Sequence, residues 1–284
     1  MVAQRCADRA GMTCCVLDSE WIGRALMTVS YQGRDYALVM FDLDDTLAPS
    51  KSPLPEEMAA LLTRMLDTTL GCVISGGRFE QFQTQVVERL GTFAGAANLH
   101  MMPTCGTQYV RWSGTEFETV YAEYLSDDEK KRALDVLETG AKELGLWETD
   151  TWGPILEDRG SQITFSALGQ SAPVDAKAAW DPGGAKKELL RAHAAERLPD
   201  LEVRSGGSTS VDVTRKGIDK AYGARKLMDI LDLGIDDILF FGDRLDEGGN
   251  DRPVKDLGIE SIAVHGWQDT YAKLSAIVDG TGRS

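Results

Sequence analysis

The sequence predicts an α/β protein: a Rossmann-like core domain on a parallel sheet, interrupted by an inserted α+β cap domain with an antiparallel sheet and helices. Three observations predict it. From residue 36 to about 110, short apolar runs alternate with helical periodicity, as in strands covered on both faces and joined by crossover helices. That pattern then gives way to alternating strands and amphipathic helices, and it returns near residue 215. Several apolar runs end in acidic, Ser or Gly residues, where open parallel sheets gather their ligands. The expected division is an N-terminal extension without clear periodicity (1–35), a core from 36–110 and 215–284, and a cap at 111–214.

Taken in order, "YALVMF" is a buried strand that runs into "DLDD". "PLPEEMAALLTRMLDTT" puts Leu54, Met58, Leu61, Leu62 and Met65 on one helical face. "LGCVIS" is a second buried strand, with Cys72 as a small core residue. "RFEQFQTQVVERLG" is a helix with Phe79, Phe82, Val86 and Leu90 inward and Gly91 as its stop. A strand pair is expected around "MMPTCGTQYVRW". In the cap, "SDDEKKRALDVLETGAKELG" opens with a capping box from Ser126 to Glu129. "SQITFSALG" alternates like a strand with one wet face, "DPGGAKKELLRAHAAERLPD" is a helix, and "EVRSGGSTSVDVTR" holds two short strands. The parallel pattern resumes with a helix over 219–232, strand "DILFFGD", a helix near 252, strand "SIAVHG" and a last helix near "DTYAKLSAIV".

The chain has 284 residues and a formal net charge of −15, which argues against binding to nucleic acid or to anionic membranes and reads as a solvated acidic surface. No apolar run approaches the roughly 20 residues that cross a bilayer. The first 23 residues mix charge and apolar groups too evenly for a signal peptide, so a cytoplasmic protein is expected. Met27 is an alternative start. The five cysteines show no metal-ligand spacing and read as reduced thiols, and the three scattered histidines read as structural.

Four separated segments carry chemistry. Asp42 and Asp44 leave a strand end together, followed by Asp45. A calcium loop is excluded, because the sixth position from Asp42 is Leu47 and the twelfth is Pro53. In "VISGGR", Ser75 and Gly76 stand at a strand–helix junction whose N–H groups suit a phosphate oxygen, and no P-loop pattern exists elsewhere. Lys220 lies in the first turn of a helix, where it opposes the helix dipole unless an anion is near. "FFGDRLDEGGND" supplies Asp243, Asn250 and Asp251. Clustered carboxylates repel, and a Mg²⁺ ion between Asp42 and Asp243 would let Asp42 stay ionised.

Over roughly residues 36 to 275, the order of these segments resembles the haloacid dehalogenase superfamily of phosphotransferases. The longer spacing in "FFGDRLDEGGND", with "SGGSTSVDVTRKGIDK" and "SALGQS", resembles its eukaryotic-type phosphomannomutase branch, whose larger α+β cap lies between the Ser and Lys motifs. The resemblance implies a Mg²⁺-dependent enzyme acting on a hexose phosphate. It makes Asp42 the nucleophile that becomes an aspartyl phosphate and Asp44 the general acid and base, which requires a raised pKa at Asp44. It assigns phosphoryl binding to Ser75, Gly76 and Lys220, and metal binding to Asp42, Asp44, Asp243, Asn250 and Asp251. Substrate contacts fall on Lys51, Arg159, Gln170, Ser210 and Asp212; an ion pair of Arg159 with Glu157 or Asp158 is an equal alternative. A hexose 1,6-bisphosphate activator is implied for a mutase, a phosphosugar as partner, and a cap surface on which a second copy can pair.

Two positions depart from the pattern. Gln170 stands where the family has Arg, which removes a cation from the distal phosphate site. Asp45 stands where a Gly follows the second Asp. Three alternatives stay open against the mutase: a phosphosugar phosphatase, a non-catalytic sugar-phosphate sensor, and a receiver domain, the last disfavoured by the size of the insert.

Overall fold

The computed structural model describes residues 28–280. Residues 1–26, the alternative start at Met27, and Cys6, Cys14 and Cys15 lie outside the described residues. In chain order the elements are β1 (Val29–Tyr31), β2 (Arg34–Tyr36), β3 (Leu38–Asp42), α1 (Glu56–Leu66), β4 (Leu70–Ile74), α2 (Phe79–Phe82), a π-helical turn Gln83–Val87, α3 (Glu88–Leu90), β5 (Leu99–Met102), β6 (Gln108–Trp112) and β7 (Phe117–Ala122). There follow α4 (Asp127–Glu143), β8 (Leu156–Asp158), β9 (Gln162–Ser166), α5 (Val174–Trp180), α6 (Ala185–Arg197), β10 (Leu201–Ser205) and β11 (Ser210–Arg215). The chain ends with α7 (Lys220–Leu231), β12 (Ile238–Gly242), α8 (Arg252–Asp256), β13 (Glu260–Ala263) and α9 (Trp267–Val278).

Seven strands form one sheet in the order β13-β12-β3-β4-β5-β6-β7. The first five are parallel, and β6 and β7 fold back antiparallel. A separate antiparallel sheet runs β10-β11-β9-β8. The larger sheet therefore continues to Ala122, and the boundary expected at residue 110 cuts through β6. Strand β7 escapes sequence reading because it is an edge strand with an exposed face: Val120 is 51% exposed and Glu118 and Thr119 are exposed beside it. β1 and β2 form a small hairpin ahead of the sheet, lying in the segment read as an extension except for Tyr36.

Side chains alternate across a strand, so β3 serves two cores. Val39 and Phe41 pack with α1 and α9, whereas Leu38 and Met40 pack with Ala224 and Leu227 of α7 and Val254 of α8. Asp42 continues the second series and so leaves the sheet on the α7 side. The cap sheet turns Ile163, Phe165, Val211 and Val213 toward α4 and α6. The face of β9 expected to be wet is covered instead: Gln162, Thr164 and Ser166 are all buried. They are satisfied internally, as where the Gln162 amide donates to Thr164 Oγ1 at 2.9 Å. The capping box at Ser126 and Glu129 is formed as expected.

Two features set the start of α7. Residues Thr104, Cys105 and Gly106 all have positive φ, and this left-handed turn lies directly against the helix. A Cβ on Gly106 would stand 2.3 Å from the Gly223 Cα; one on Gly223 would stand 2.6 Å from Ile74 Cδ1 and 2.8 Å from the Cys105 carbonyl oxygen. Gly223→Ala is expected to lose about 1–3 kcal/mol of stability in urea denaturation, because the overlap with fixed backbone outweighs alanine's helix propensity. Just before the cap, the Glu123 carboxylate accepts hydrogen bonds from the Tyr222 hydroxyl and the Lys226 ammonium. The chain thus leaves the larger sheet and returns to it at neighbouring points on α7.

Candidate active site

Strand β3 ends at Asp42, opposite Ile74 of β4, β12 delivers Asp243, and the loop after β12 brings Asp251 back beneath Gly242. One carboxylate oxygen from each of Asp42, Asp243 and Asp251 lies within 4.8 Å of the others. Lys220, at the first position of α7, reaches into this group. Its Nζ donates to Asp42 Oδ1 and to Asp251 Oδ1, each at 2.5 Å. Asp251 also accepts from the Arg244 N–H at 3.0 Å. Lys220, Asp42 and Asp251 are all buried. Burial pushes the Asp42 pKa up to about 7, with Lys220 opposing and Asp251 and Asp243 adding to the rise. Burial and Asp251 push Asp243 up to about 6, against Lys220. For Lys220, burial acts to lower the pKa, but the two carboxylates outweigh it and hold the ammonium above the usual lysine range.

Three converging carboxylates against one ammonium leave an excess of negative charge in a mostly buried cluster. All donors are oxygens. This chemistry fits a hard divalent cation such as Mg²⁺. The residues that would hold it are Asp42, Asp243 and Asp251; Asp44, a member of the expected set, is not with them. Asn250 is exposed on the loop just before Asp251. Asp44 is held elsewhere: its carboxylate accepts from the Lys51 N–H at 2.7 Å, the Gln81 amide at 2.9 Å and the Gln85 amide at 3.3 Å. The Lys51 ammonium stands 3.2 Å away.

That setting reverses the pKa expected for Asp44. Burial acts to raise it, but the Lys51 charge, the Lys51 backbone N–H and the Gln81 amide together bring it below the ordinary carboxylate value. Sequence reasoning misses Gln81 and Gln85 as site residues. The available signal is their i, i+4 spacing on the helix after the Ser75 loop; Gln85 is turned inward in the π-helical turn, where its amide also donates to the Ser52 carbonyl at 2.6 Å. Asp45 takes a left-handed φ of 61°, which explains a Gly at the equivalent family position. Its carboxylate accepts from the Ser50 N–H at 3.1 Å and is not a member of the metal cluster.

Ser75 is buried at the end of β4, and its hydroxyl accepts from the Gly77 N–H at 3.2 Å. From the cap, Arg159 donates to the Gly76 carbonyl at 3.1 Å and pairs with Glu157 at 2.8 Å. Glu157 also takes Arg78 at 3.1 Å. The ion pair expected as one alternative for Arg159 is therefore present, together with a reach across to the Ser75–Gly76 loop. Ser210 pairs with Ser166 at 3.0 Å, and Asp212 accepts from Thr164 at 2.7 Å. The Gln170 amide donates to Ser166 at 2.7 Å.

The metal-free protein has a testable pH signature. An Asp whose folded pKa lies above its ordinary 3.8 binds a proton in the folded state that the unfolded chain has released, so its stability contribution is full below pH 3.8 and lost as pH rises through the folded value. In chelator, Asp243→Asn should reduce the fall in Tm between pH 4 and pH 7 relative to wild type, and Mg²⁺ should flatten the wild-type curve. Identical slopes for the two proteins in chelator would contradict the placement of Asp243.

Residues 149–279 match the family model described as eukaryotic phosphomannomutase. The phosphomannomutase of Encephalitozoon cuniculi is 24% identical over 253 residues, covering 86% of this chain and 94% of that protein. That of Saccharomyces cerevisiae is 26% identical over 239 residues, covering 79% and 87%. Among solved structures, an IMP-bound, N-terminally truncated IMP-nucleotidase of Plasmodium falciparum superposes with a TM-score of 0.63 at 16% identity, over 86% of this chain and 68% of that one. A trehalose-6-phosphate phosphatase related protein gives 0.51 at 12% identity, over 86% and 98%. The two structures share the fold. Among the described residues no helix is long and apolar enough to cross a membrane.

Proposed function

We propose that this chain, an enzyme of the haloacid dehalogenase type, moves a phosphoryl group to and from hexose phosphates through an aspartyl phosphate on Asp42, in the manner of a phosphomannomutase. The observation that carries this reading is the meeting of Asp42, Lys220, Asp251 and Asp243 beside Ser75 at the carboxyl ends of parallel strands. Phosphoryl transfer calls chiefly for positioning and for neutralisation of phosphate charge, and these residues supply both.

Asp42 attacks phosphorus in line while the Ser75 hydroxyl and the Gly76 N–H bind phosphoryl oxygens. Lys220 orients Asp42 and opposes the protonation that burial favours there. Asp42, Asp243 and Asp251 would hold a divalent cation, which would polarise the phosphoryl oxygens and screen the nucleophile from their charge. Asp44, ionised beside Lys51, is set to take a proton from the accepting hydroxyl or water. Protonating a leaving oxygen uses a proton that Asp44 has taken from the accepting hydroxyl of the preceding transfer or from solvent, and it requires the Lys51 ammonium to turn toward the substrate so that Asp44 can carry it. Arg159, Ser210 and Asp212 of the cap contact the sugar.

A second reading, a phosphosugar phosphatase, is favoured by Gln170, whose neutral amide is turned back onto Ser166. Mannose 1-phosphate with Mg²⁺, assayed with and without a hexose 1,6-bisphosphate, separates the two. Bisphosphate-dependent appearance of mannose 6-phosphate is the expected result, and release of inorganic phosphate without isomerisation assigns the phosphatase. Phosphoryl transfer from no hexose phosphate would end both readings.

A further inference from the structure

The two oxygens of Asp44 are held in unlike ways. Oδ1 accepts from the Lys51 backbone N–H at 2.7 Å and from the Gln85 amide at 3.3 Å. Oδ2 accepts from the Gln81 amide at 2.9 Å and faces the Lys51 ammonium at 3.2 Å. Gln85 is only 3% exposed and sits in the π-helical turn between α2 and α3, an irregularity often found at functional sites. Its amide also donates to the Ser52 carbonyl at 2.6 Å, and its backbone carbonyl accepts from the Leu54 N–H at 2.9 Å. Turning the amide over would set its oxygen against the Ser52 carbonyl and the Asp44 carboxylate, so its orientation is fixed. The Gln85 side-chain oxygen is buried with no hydrogen-bond partner among the described residues. Burying an unsatisfied acceptor costs stability, which points to a function for the two bonds that the same amide donates.

Gln81 differs. It is half-buried, and its amide oxygen accepts from the Lys51 ammonium at 2.9 Å. A Cβ on Gly77 would overlap that oxygen, so the Gln81 amide lies against the Ser75–Gly77 loop. It stands between Asp44 and the loop proposed to bind the phosphoryl group. Its N–H occupies, on Oδ2, the place that a sugar oxygen needs.

We propose that Gln85 and Gln81 are positioning residues that divide the two oxygens of Asp44: Gln85 pins Oδ1, and Gln81 is a placeholder that the sugar oxygen displaces from Oδ2. Oδ2 is then the atom that moves the proton. It gives a proton to the sugar oxygen as the bond from that oxygen to phosphorus breaks and the bond from Asp42 to phosphorus forms. In the return step it takes the proton of the accepting hydroxyl as the new O–P bond forms and the Asp42–P bond breaks. The inference rests on the proposed phosphoryl transfer and names the atom that serves it.

The test measures kcat/KM with Mg²⁺ for p-nitrophenyl phosphate, phenyl phosphate and mannose 1-phosphate. This parameter reports transfer to Asp42, in which the p-nitrophenyl oxygen leaves without a proton and the other two need one increasingly. Gln85→Met keeps the length of the side chain and removes its donors. It should lower kcat/KM about tenfold or more on mannose 1-phosphate, the scale of one hydrogen bond to a charged group. The loss should be smaller on phenyl phosphate and smallest on p-nitrophenyl phosphate. Equal losses on all three would overturn the assignment. Gln85→Asn, whose amide stops short of Asp44, should show the same ordering and serves where the methionine variant does not fold. Gln81→Met should cost less than Gln85→Met on mannose 1-phosphate; an equal or larger loss would overturn the division of the two oxygens. Absence of mannose 1-phosphate turnover in the wild type strikes the proposed function, while the ratio of the two aryl phosphates still decides the role of Gln85.

Discussion

Asp42→Asn is expected to lower kcat on a hexose phosphate by roughly 10⁴-fold, the scale on which loss of a covalent nucleophile is felt. The amide keeps the shape of the side chain but cannot attack phosphorus. Wild-type protein quenched during turnover should carry a phosphoryl adduct by intact mass, and the variant none. Its fold should hold, because burial already disfavours charge at this position, and Lys220 retains Asp251 at 2.5 Å. In chelator at pH 7 the variant should melt no lower than the wild type. A variant that turns over normally would remove Asp42 from the chemistry.

Lys220→Met should cost more stability than either Gly223→Ala or Asp42→Asn. The methionine matches the length of lysine but leaves Asp42 and Asp251 buried without their shared cation. Breaking a buried ion pair from one side typically costs about 3–5 kcal/mol, which denaturant melts in chelator would show directly. Mg²⁺ should return part of the loss by mass action. The double variant Lys220→Met with Asp251→Asn should be less destabilised than the sum of its parts, since the second change removes one of the stranded charges. Additive losses would mean that Lys220 and Asp251 do not share this energy. Turnover should fall at least about 100-fold even where Mg²⁺ restores the fold, because the oriented ammonium contributes directly to charge neutralisation.

The buried strands were legible because a strand covered on both faces reads as an uninterrupted apolar run, as Leu38–Phe41 and Ile238–Phe241 do. In the structure, the parity of β3 puts Asp42 on the side of Lys220, 178 residues away in sequence. Strand β7 was not legible, since a half-exposed edge strand such as "FETVYA" has the composition of a loop. Within the site, the sequence marked Asp42, Asp243 and Asp251, which gather, but also Asp44, which does not, and it did not say how each is held. Asp42 and Asp44 are two residues apart and meet opposite fates: one faces Lys220 under burial, the other is wrapped by Lys51, Gln81 and Gln85. The turn that follows Asp44 begins with a left-handed Asp45, a backbone detail no spacing rule conveys. The buried face of β9 was missed for a related reason, because alternation reports polarity and not whether hydrogen bonds allow the polar side to be covered.

The Glu123 contacts with Tyr222 and Lys226 hold the departure and return of the chain side by side on one helix. Everything between is a cassette whose chain leaves and re-enters its host at two adjacent seams, with further contacts from Arg159 to the Gly76 carbonyl and from Glu157 to Arg78. Replacement of such a cassette need not disturb the strands that carry the reactive groups. New selectivity for a ligand can arise by exchange of this piece alone, while the inherited machinery keeps working.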